Sequence, residues 1–482
     1  MNEKRNLTML MDFYELTMSN GYFVKGLKDI TVVFDMFYRS NPDGAGFAVC
    51  AGLEQLVDYI EHMEFTDADI AYLRGREMFD EGFLDYLKNF RFTGTIEAVP
   101  EGTVVYPGTP LVTVTAPLIE AQLVETMLLL TVNHQTLIAT KANRICRAAA
   151  PATIMEFGAR RAQGADAAVN GARAAYIGGV GATATVLADQ MFGVKAVGTM
   201  AHSWVQFFPT EFEAFKAYAE VYPDSCTLLI DTYDILESGV INAVRTAKEV
   251  LEPMGKRLKG VRIDSGDLAY FSKKLRKVLD DAGLTDCQIV VSNSVDEYLI
   301  NSLNIQEARI DSYGVGERLI TSKSDPVFGG VYKLVAVKQP DGTYEPRIKI
   351  SENPEKVTNP GKKTLWRIYN KETGFGYADL LTLSDEEIDG ETPFAFVDPQ
   401  KPWKKMTFTN VMVEKVQKTI YQDGKLVYQL PTLEEIREHV NKQLKYTVWE
   451  EEQRFENPHV HYVDLSKKLY DLKESLLNKK EH

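Results

Sequence analysis

The stretch GVRIDSGDLAYFSKKLRKVLDDAGLTDCQIVVSNS, residues 260–294, sets the reading of the whole chain. A short apolar run, GVRI, stops at polar residues and a glycine. A longer segment of helical period follows, and a second apolar run, QIVV, ends in Ser-Asn-Ser. Short strand, polar stop, helix, short strand is the grammar of a parallel sheet. The same pattern extends outward in both directions. Upstream lie TIMEFGARR (153–161), VKAVGTMAHS (194–203) and CTLLIDTYD (226–234); downstream lies IDSYGVGER (310–318). Six such units in about 160 residues predict an α/β barrel, although an open doubly wound sheet has the same local grammar.

The flanks have a different texture. Residues 8–27 read as a helix, ITVVFDMFYR (30–39) as a strand, and 53–62 and 67–88 as helices. Residues 94–116 carry short β runs punctuated by Pro and Gly before a helical pattern resumes at 118. Beyond 330, GGVYKLVAVKQPDGTYEPRIKI reads as a hairpin about Pro-Asp-Gly, and SENPEKVTNPGKK as a polar loop. Strands near 406–429 and helices near 432–443 and 464–477 complete the chain. The expected organisation is an N-terminal α+β domain over 1–140, the barrel over 141–345, and, over 346–482, a loop with a C-terminal α+β extension that packs on the N-terminal domain.

The 482 residues suffice for more than one core, and 45% apolar with 25% charged residues is ordinary for a folded protein. A formal net charge of −14 argues against nucleic acid, which calls for a basic face, but not against a small phosphorylated ligand in a locally cationic pocket. Cys50, Cys146, Cys226 and Cys287 lie far apart and form no CxxC pair. No leader pattern opens the chain, because Asp12 and Glu15 interrupt its apolar run, and no stretch reaches the ~18 apolar residues of a membrane span. The expected setting is the cytoplasm, with no membrane partner.

Ligands of parallel α/β proteins bind where strands end and helices begin, since backbone amides are exposed there. The strand ends here supply Arg160 and Arg161, then His202, then Asp231 and Asp234. Arg262, Asp264, Ser265 and Asp267 follow, then Ser292 and Asn293, and last Gly314, Gly316 and Arg318. Guanidinium forks, small residues and carboxylates together suit a phosphorylated sugar. No motif is diagnostic alone: YGVGER does not complete GxGxxG, and a turn glycine or a solvated arginine is an equal reading at each position. His202 stands out because Gly198, Thr199, Ala201 and Ser203 leave its imidazole room after a strand. His459 and His461 form an HxH pair without further ligands, so no resident metal site is expected. Tyr14, on an amphipathic segment, reads as core.

In order along the chain, MDFYELTM, EFGARRAQGADAA, GTMAHS, DTYD, VRIDSGDL, YGVGERL and RIKISENPEKVTNPGKK resemble the nicotinate phosphoribosyltransferase family over residues 8 to about 370. The resemblance implies an irregular barrel working as a homodimer with shared active sites. It further implies that nicotinate and phosphoribosyl pyrophosphate are joined with Mg2+ present, and that ATP hydrolysis is coupled through phosphorylation of His202. It assigns Phe157 and Tyr14 to the two faces of the pyridine ring, with Tyr14 from the neighbouring subunit. Arg160, Thr183 and Thr185 fall to the nicotinate carboxylate, and Arg262 and Asp264 to the phosphoribosyl pyrophosphate site, where with His202 they form the catalytic group. Ser292, Asn293, Gly314, Gly316 and Arg318 fall to phosphate, while Lys349, Lys356 and Lys362 resemble a mobile segment. Ala184 lies where the related nicotinamide enzyme carries an acid, which favours an anionic substrate. Nicotinamide or quinolinate as substrate on the same fold, and a non-catalytic nucleotide-binding barrel, are the alternatives.

Overall fold

The computed structural model describes residues 5–353, 356–399 and 401–479, and the chain divides into two compact units. One runs from Ile138 to Pro326; the other joins the residues up to Leu137 with those from Val327 onward.

The continuous unit is built on a six-stranded parallel sheet. Its strands, in chain order, are β1 (Thr153–Glu156), β2 (Ala182–Thr183), β3 (Thr227–Leu229), β4 (Gly260–Ile263), β5 (Gln288–Ser292) and β6 (Ser312–Val315). Their spatial order is β2-β1-β6-β5-β4-β3. The register sets Val290 of β5 opposite both Arg262 and Ser312, and Glu156 of β1 opposite Val315 and Thr183. Alternation along β4 explains its composition: Val261 and Ile263 are fully buried, while Arg262, pointing the other way, keeps partial exposure. The helix Leu268–Asp281 starts at Asp267, whose carboxylate accepts the Tyr270 amide at 3.0 Å, and it buries Ala269, Ser272, Leu275 and Leu279 at helical spacing.

Mixed α/β architecture is therefore present, but the sheet is an open half-barrel: among the described residues no pairing joins its edge strands β2 and β3. One expected strand is corrected as well. VKAVGTMAHS forms only an isolated parallel bridge, Ala196 to Thr183, held by Thr183 N to Lys195 O at 3.0 Å and Val197 N to Thr183 O at 2.8 Å. Its ladder ends before Gly198, which has no side chain to pack. The pairing edge is instead the two-residue β2, within the GATAT segment.

The second unit carries an antiparallel seven-stranded sheet, ordered Tyr344–Pro346, Val331–Lys338, Thr31–Phe37, Pro110–Pro117, Thr95–Ala98, Lys418–Gln422 and Lys425–Leu426. Residues 331–345, placed above at the end of the barrel segment, belong to this sheet: Val331–Lys338 lies antiparallel to Thr31–Phe37. Such long-range pairing leaves no local mark. A six-stranded sheet formed by Lys363–Tyr369, Gly376–Leu383, Phe394–Val397, Lys405–Phe408, Met412–Lys415 and Tyr462–Ser466 completes the unit. Inside it, His461 is a core residue. Its ring stacks on Tyr106 at 3.6 Å, Nδ1 is 2.8 Å from Glu452, and Nε2 is 3.4 Å from Asp379, which also takes both arms of Arg367 at 2.7 and 2.8 Å. The HxH pair thus has a structural half. All four cysteines are free thiols, and no described helix is long and apolar enough to cross a membrane.

Candidate active site

Because the six strands run parallel, their carboxyl ends share one edge of the sheet, and the polar stops converge there. Arg262, projecting from β4, donates from Nε to Ser292 Oγ at 2.9 Å and from a terminal nitrogen to Thr199 Oγ1 at 3.0 Å. Ser292, the last residue of β5, passes its own proton to Asp264 Oδ1 at 2.7 Å. Burial lowers the Arg262 pKa, Asp264 and Asp231 oppose that, and nearby Arg160 adds to it. A mostly buried guanidinium that keeps 16% exposure can still meet an anion at the strand end.

His202 begins the short helix His202–Phe207. Its Nδ1 lies 3.1 Å from Thr232 Oγ1, and its Nε2 faces two carboxylates, Asp231 Oδ1 at 3.8 Å and Asp264 Oδ2 at 3.9 Å. Asp231 is almost entirely buried; its Oδ2 accepts the Asp264 amide at 2.7 Å and the Ser265 hydroxyl at 2.8 Å, while Oδ1 is buried without a hydrogen-bond partner.

Phe157 follows β1, its amide bonded to Val315 O at 2.8 Å. Its ring rests on Gly314: a Cβ there would stand 2.5 Å from Phe157 Cδ2, so only glycine admits the ring. Arg262 Cζ lies 5.7 Å from the ring centroid. Gly316 approaches the same loop, with Phe157 O 3.3 Å from its notional Cβ. Asn293 and Ser294 take left-handed backbone, φ 79° and 51°, turning the chain sharply after β5.

The other expected residues are placed as follows. Arg318 pairs with Asp296, the N-cap of Glu297–Ile305, so its guanidinium is engaged within the protein. Thr183 is fully buried and donates to Glu156 Oε2 at 2.7 Å; Thr185 Oγ1 reaches the same oxygen at 3.4 Å. Arg160 is exposed, in the turn Ala159–Arg161. Tyr14 belongs to the other unit, on the helix Phe13–Val24, where the residue is 43% exposed. Beside it burial pushes Glu15 up to about 7. Lys349, Lys356 and Lys362 lie in that unit too, Lys362 5.4 Å from the Tyr344 ring centroid.

Thr199, Thr232 and Glu156 escaped the sequence reading. Glu156 had a signal, as an acid closing the apolar run TIM. Its carboxyl accepts the Gly158 amide as well as the threonine hydroxyls; burial raises its pKa, and the bonds from Thr183, Gly158 and Thr185 oppose the rise.

Three family models match the chain in sequence: the nicotinate phosphoribosyltransferase N-terminal domain over residues 9–133, the nicotinate phosphoribosyltransferase family over 152–372, and its C-terminal domain over 362–473. Nicotinate phosphoribosyltransferase of Bacillus subtilis is 43% identical over 463 residues, 96% of this chain and 93% of that protein. The crystal structure of human nicotinic acid phosphoribosyltransferase superposes with a TM-score of 0.85 at 31% identity, covering 97% of this chain and all of that one. Nicotinate-nucleotide pyrophosphorylase from Pyrococcus furiosus gives 0.69 at 25% identity, over 92% and 97%.

Proposed function

Since the chain belongs to the nicotinate phosphoribosyltransferase family, we propose that it joins nicotinate to phosphoribosyl pyrophosphate, releasing pyrophosphate and giving nicotinate mononucleotide for NAD salvage. The observation that carries the reading is the convergence of Arg262, Ser292, Asp264 and His202 beside an aromatic plate, Phe157, at one edge of a parallel sheet. Phe157 stacks on the pyridine, and Arg160 meets its carboxylate. Arg262 neutralises phosphate or pyrophosphate oxygens, and the small residues at 292, 293, 314 and 316 admit the rest of the sugar phosphate. As the C–O bond to pyrophosphate breaks, positive charge grows on the ribose C1 and negative charge on the departing oxygen. Placed cations hold the latter, and the flat acid attacks the former.

Mg2+ prefers oxygen ligands and keeps waters and substrate phosphates among them. Asp231 and Asp264 fit that demand: Asp231 Oδ1 is a buried oxygen without a hydrogen bond, and Asp264 Oδ2 opens on the same space. When bound, the ion would offset the charge of the pyrophosphate. ATP enters at His202: the imidazole takes the γ-phosphoryl group, ADP leaves, and later hydrolysis of the phosphoimidazole returns the histidine. Asp231 and Asp264 stabilise the cationic ring through that cycle. The exposed Tyr14, from a second copy, would cap the pyridine in a homodimer, and the setting is the cytoplasm.

Purified protein incubated with phosphoribosyl pyrophosphate, Mg2+ and nicotinate, nicotinamide or quinolinate in turn, with and without ATP, tests the reading. Nicotinate mononucleotide is the expected product; none from nicotinate, or faster product from nicotinamide, refutes it. His202→Ala should retain transfer while losing both ATP stimulation and an acid-labile phosphoryl label, and unchanged ATP stimulation would remove His202 from that role.

A further inference from the structure

The pyridine-binding loop rests on a residue that touches no expected ligand. Glu156 is fully buried at the end of β1, and its partners are two hydroxyls and one amide, with no cation among the described residues. Burying a carboxylate without a counter-charge is costly, and an apolar side chain would fill the same space more cheaply. What Glu156 holds explains its presence.

One oxygen accepts the amide of Gly158. A Cβ at that position would lie 2.6 and 2.7 Å from Ile320 Cβ and Cγ2 and 2.8 Å from Glu156 Oε1 itself, so only glycine fits between them. Gly158 O then accepts the Arg161 amide at 2.7 Å, opening the single turn that carries Arg160. The other oxygen draws in the Thr183 hydroxyl, and Thr183 Oγ1 in turn accepts the Thr185 amide at 3.0 Å. Every donor in this relay points inward, so the Thr183 proton is committed to Glu156 and cannot serve a substrate carboxylate. The anchor thus fixes the loop between Phe157, the plate, and Arg160, the fork.

We propose that Glu156 is the positioning residue of the pyridine site, acting on nicotinate recognition through Arg160, and that Thr183 is its strut and not a substrate contact. The proposal rests on the nicotinate reading above. Its partners predict a cycle. Glu156→Gln keeps the shape but puts a donor where the relay needs an acceptor, so the nicotinate KM should rise ~10-fold or more while the phosphoribosyl pyrophosphate KM stays within about twofold. Once Arg160 is replaced by Ala, adding Glu156→Gln should change the nicotinate KM by less than about twofold, the non-additivity expected of residues acting as one unit. Thr183→Val should copy Glu156→Gln, and Thr183→Ser, which keeps the hydroxyl, should restore wild-type KM.

All variants are assayed as full-length protein, with thermal unfolding as a check on folding. Should Glu156→Gln fold poorly, Thr183→Val in the Arg160→Ala background decides: a strut acting through Arg160 predicts a further change in nicotinate KM of less than about twofold, and a full additional rise overturns the proposal. Equal shifts in both KM values, full additivity with Arg160→Ala, or a normal nicotinate KM in Thr183→Val overturns the proposal and leaves the functional reading standing. A wild-type protein that makes no product from nicotinate overturns both.

Discussion

Asp231→Asn isolates the electrostatics of the histidine centre. Asn retains an oxygen for the Asp264 amide and the Ser265 hydroxyl, so the fold around β4 should survive, but it removes the negative charge 3.8 Å from His202 Nε2. Two unit charges at that separation interact by about 4 kcal/mol at an effective dielectric of ~20, and by about 1 kcal/mol in water. His202 is 40% exposed and Asp264 remains 3.9 Å away, so the loss falls toward the lower end of that range. Between about 1 and about 4 kcal/mol corresponds to a ~5- to ~900-fold slower formation of the phosphorylated imidazole. Rapid-quench labelling with γ-labelled ATP, in the absence of the other substrates, measures that step. Labelling at the wild-type rate would refute the assignment of Asp231 to the charge of His202.

Arg160→Ala removes one charge-assisted bond of about 1.5–3 kcal/mol and should raise the nicotinate KM ~10- to ~150-fold with the phosphoribosyl pyrophosphate KM little changed; steady-state kinetics in both substrates checks it. Gly314→Ala places a methyl 2.5 Å from Phe157 Cδ2, and should cost about 1–3 kcal/mol of overpacking while weakening nicotinate binding, read by thermal unfolding and KM together. His461→Phe keeps the stack on Tyr106 but strips Asp379 and Glu452 of a shared cation, costing about 3–5 kcal/mol in urea unfolding. Burial alone would lower the His461 pKa, but the bonds to Asp379 and Glu452 raise it overall. A raised folded value gives stability fully present below the unfolded pKa of ~6.5 and lost as pH climbs through the folded one, so the wild-type advantage over His461→Phe should narrow toward alkaline pH.

The catalytic unit could be read from local pattern because each βα step is local. An apolar run that stops at Asp-Ser-Gly-Asp and resumes at helical period predicts a strand, a polar loop and a helix without knowledge of anything distant. The polar stops therefore marked Arg262, Asp264 and Ser292 as neighbours of strand ends, whereas His202 follows a segment that forms only an isolated bridge. Closure was beyond such reasoning, since six βα units read alike in a barrel and in an open sheet. Likewise, nothing in GGVYKLVAVK says that it pairs with Thr31–Phe37, roughly 300 residues away.

What the amino-acid order fixed here was the kind of element and the chemistry at its end, both set within a few residues by periodicity and turn-forming side chains. What the tertiary structure alone decided was partnership. It set Gly314 beneath the Phe157 ring, turned Arg318 to Asp296, and gave the Thr183 proton to Glu156. Those outcomes depend on which strands become neighbours and in what register, a choice made by packing across the whole sheet, so no window of sequence contains it.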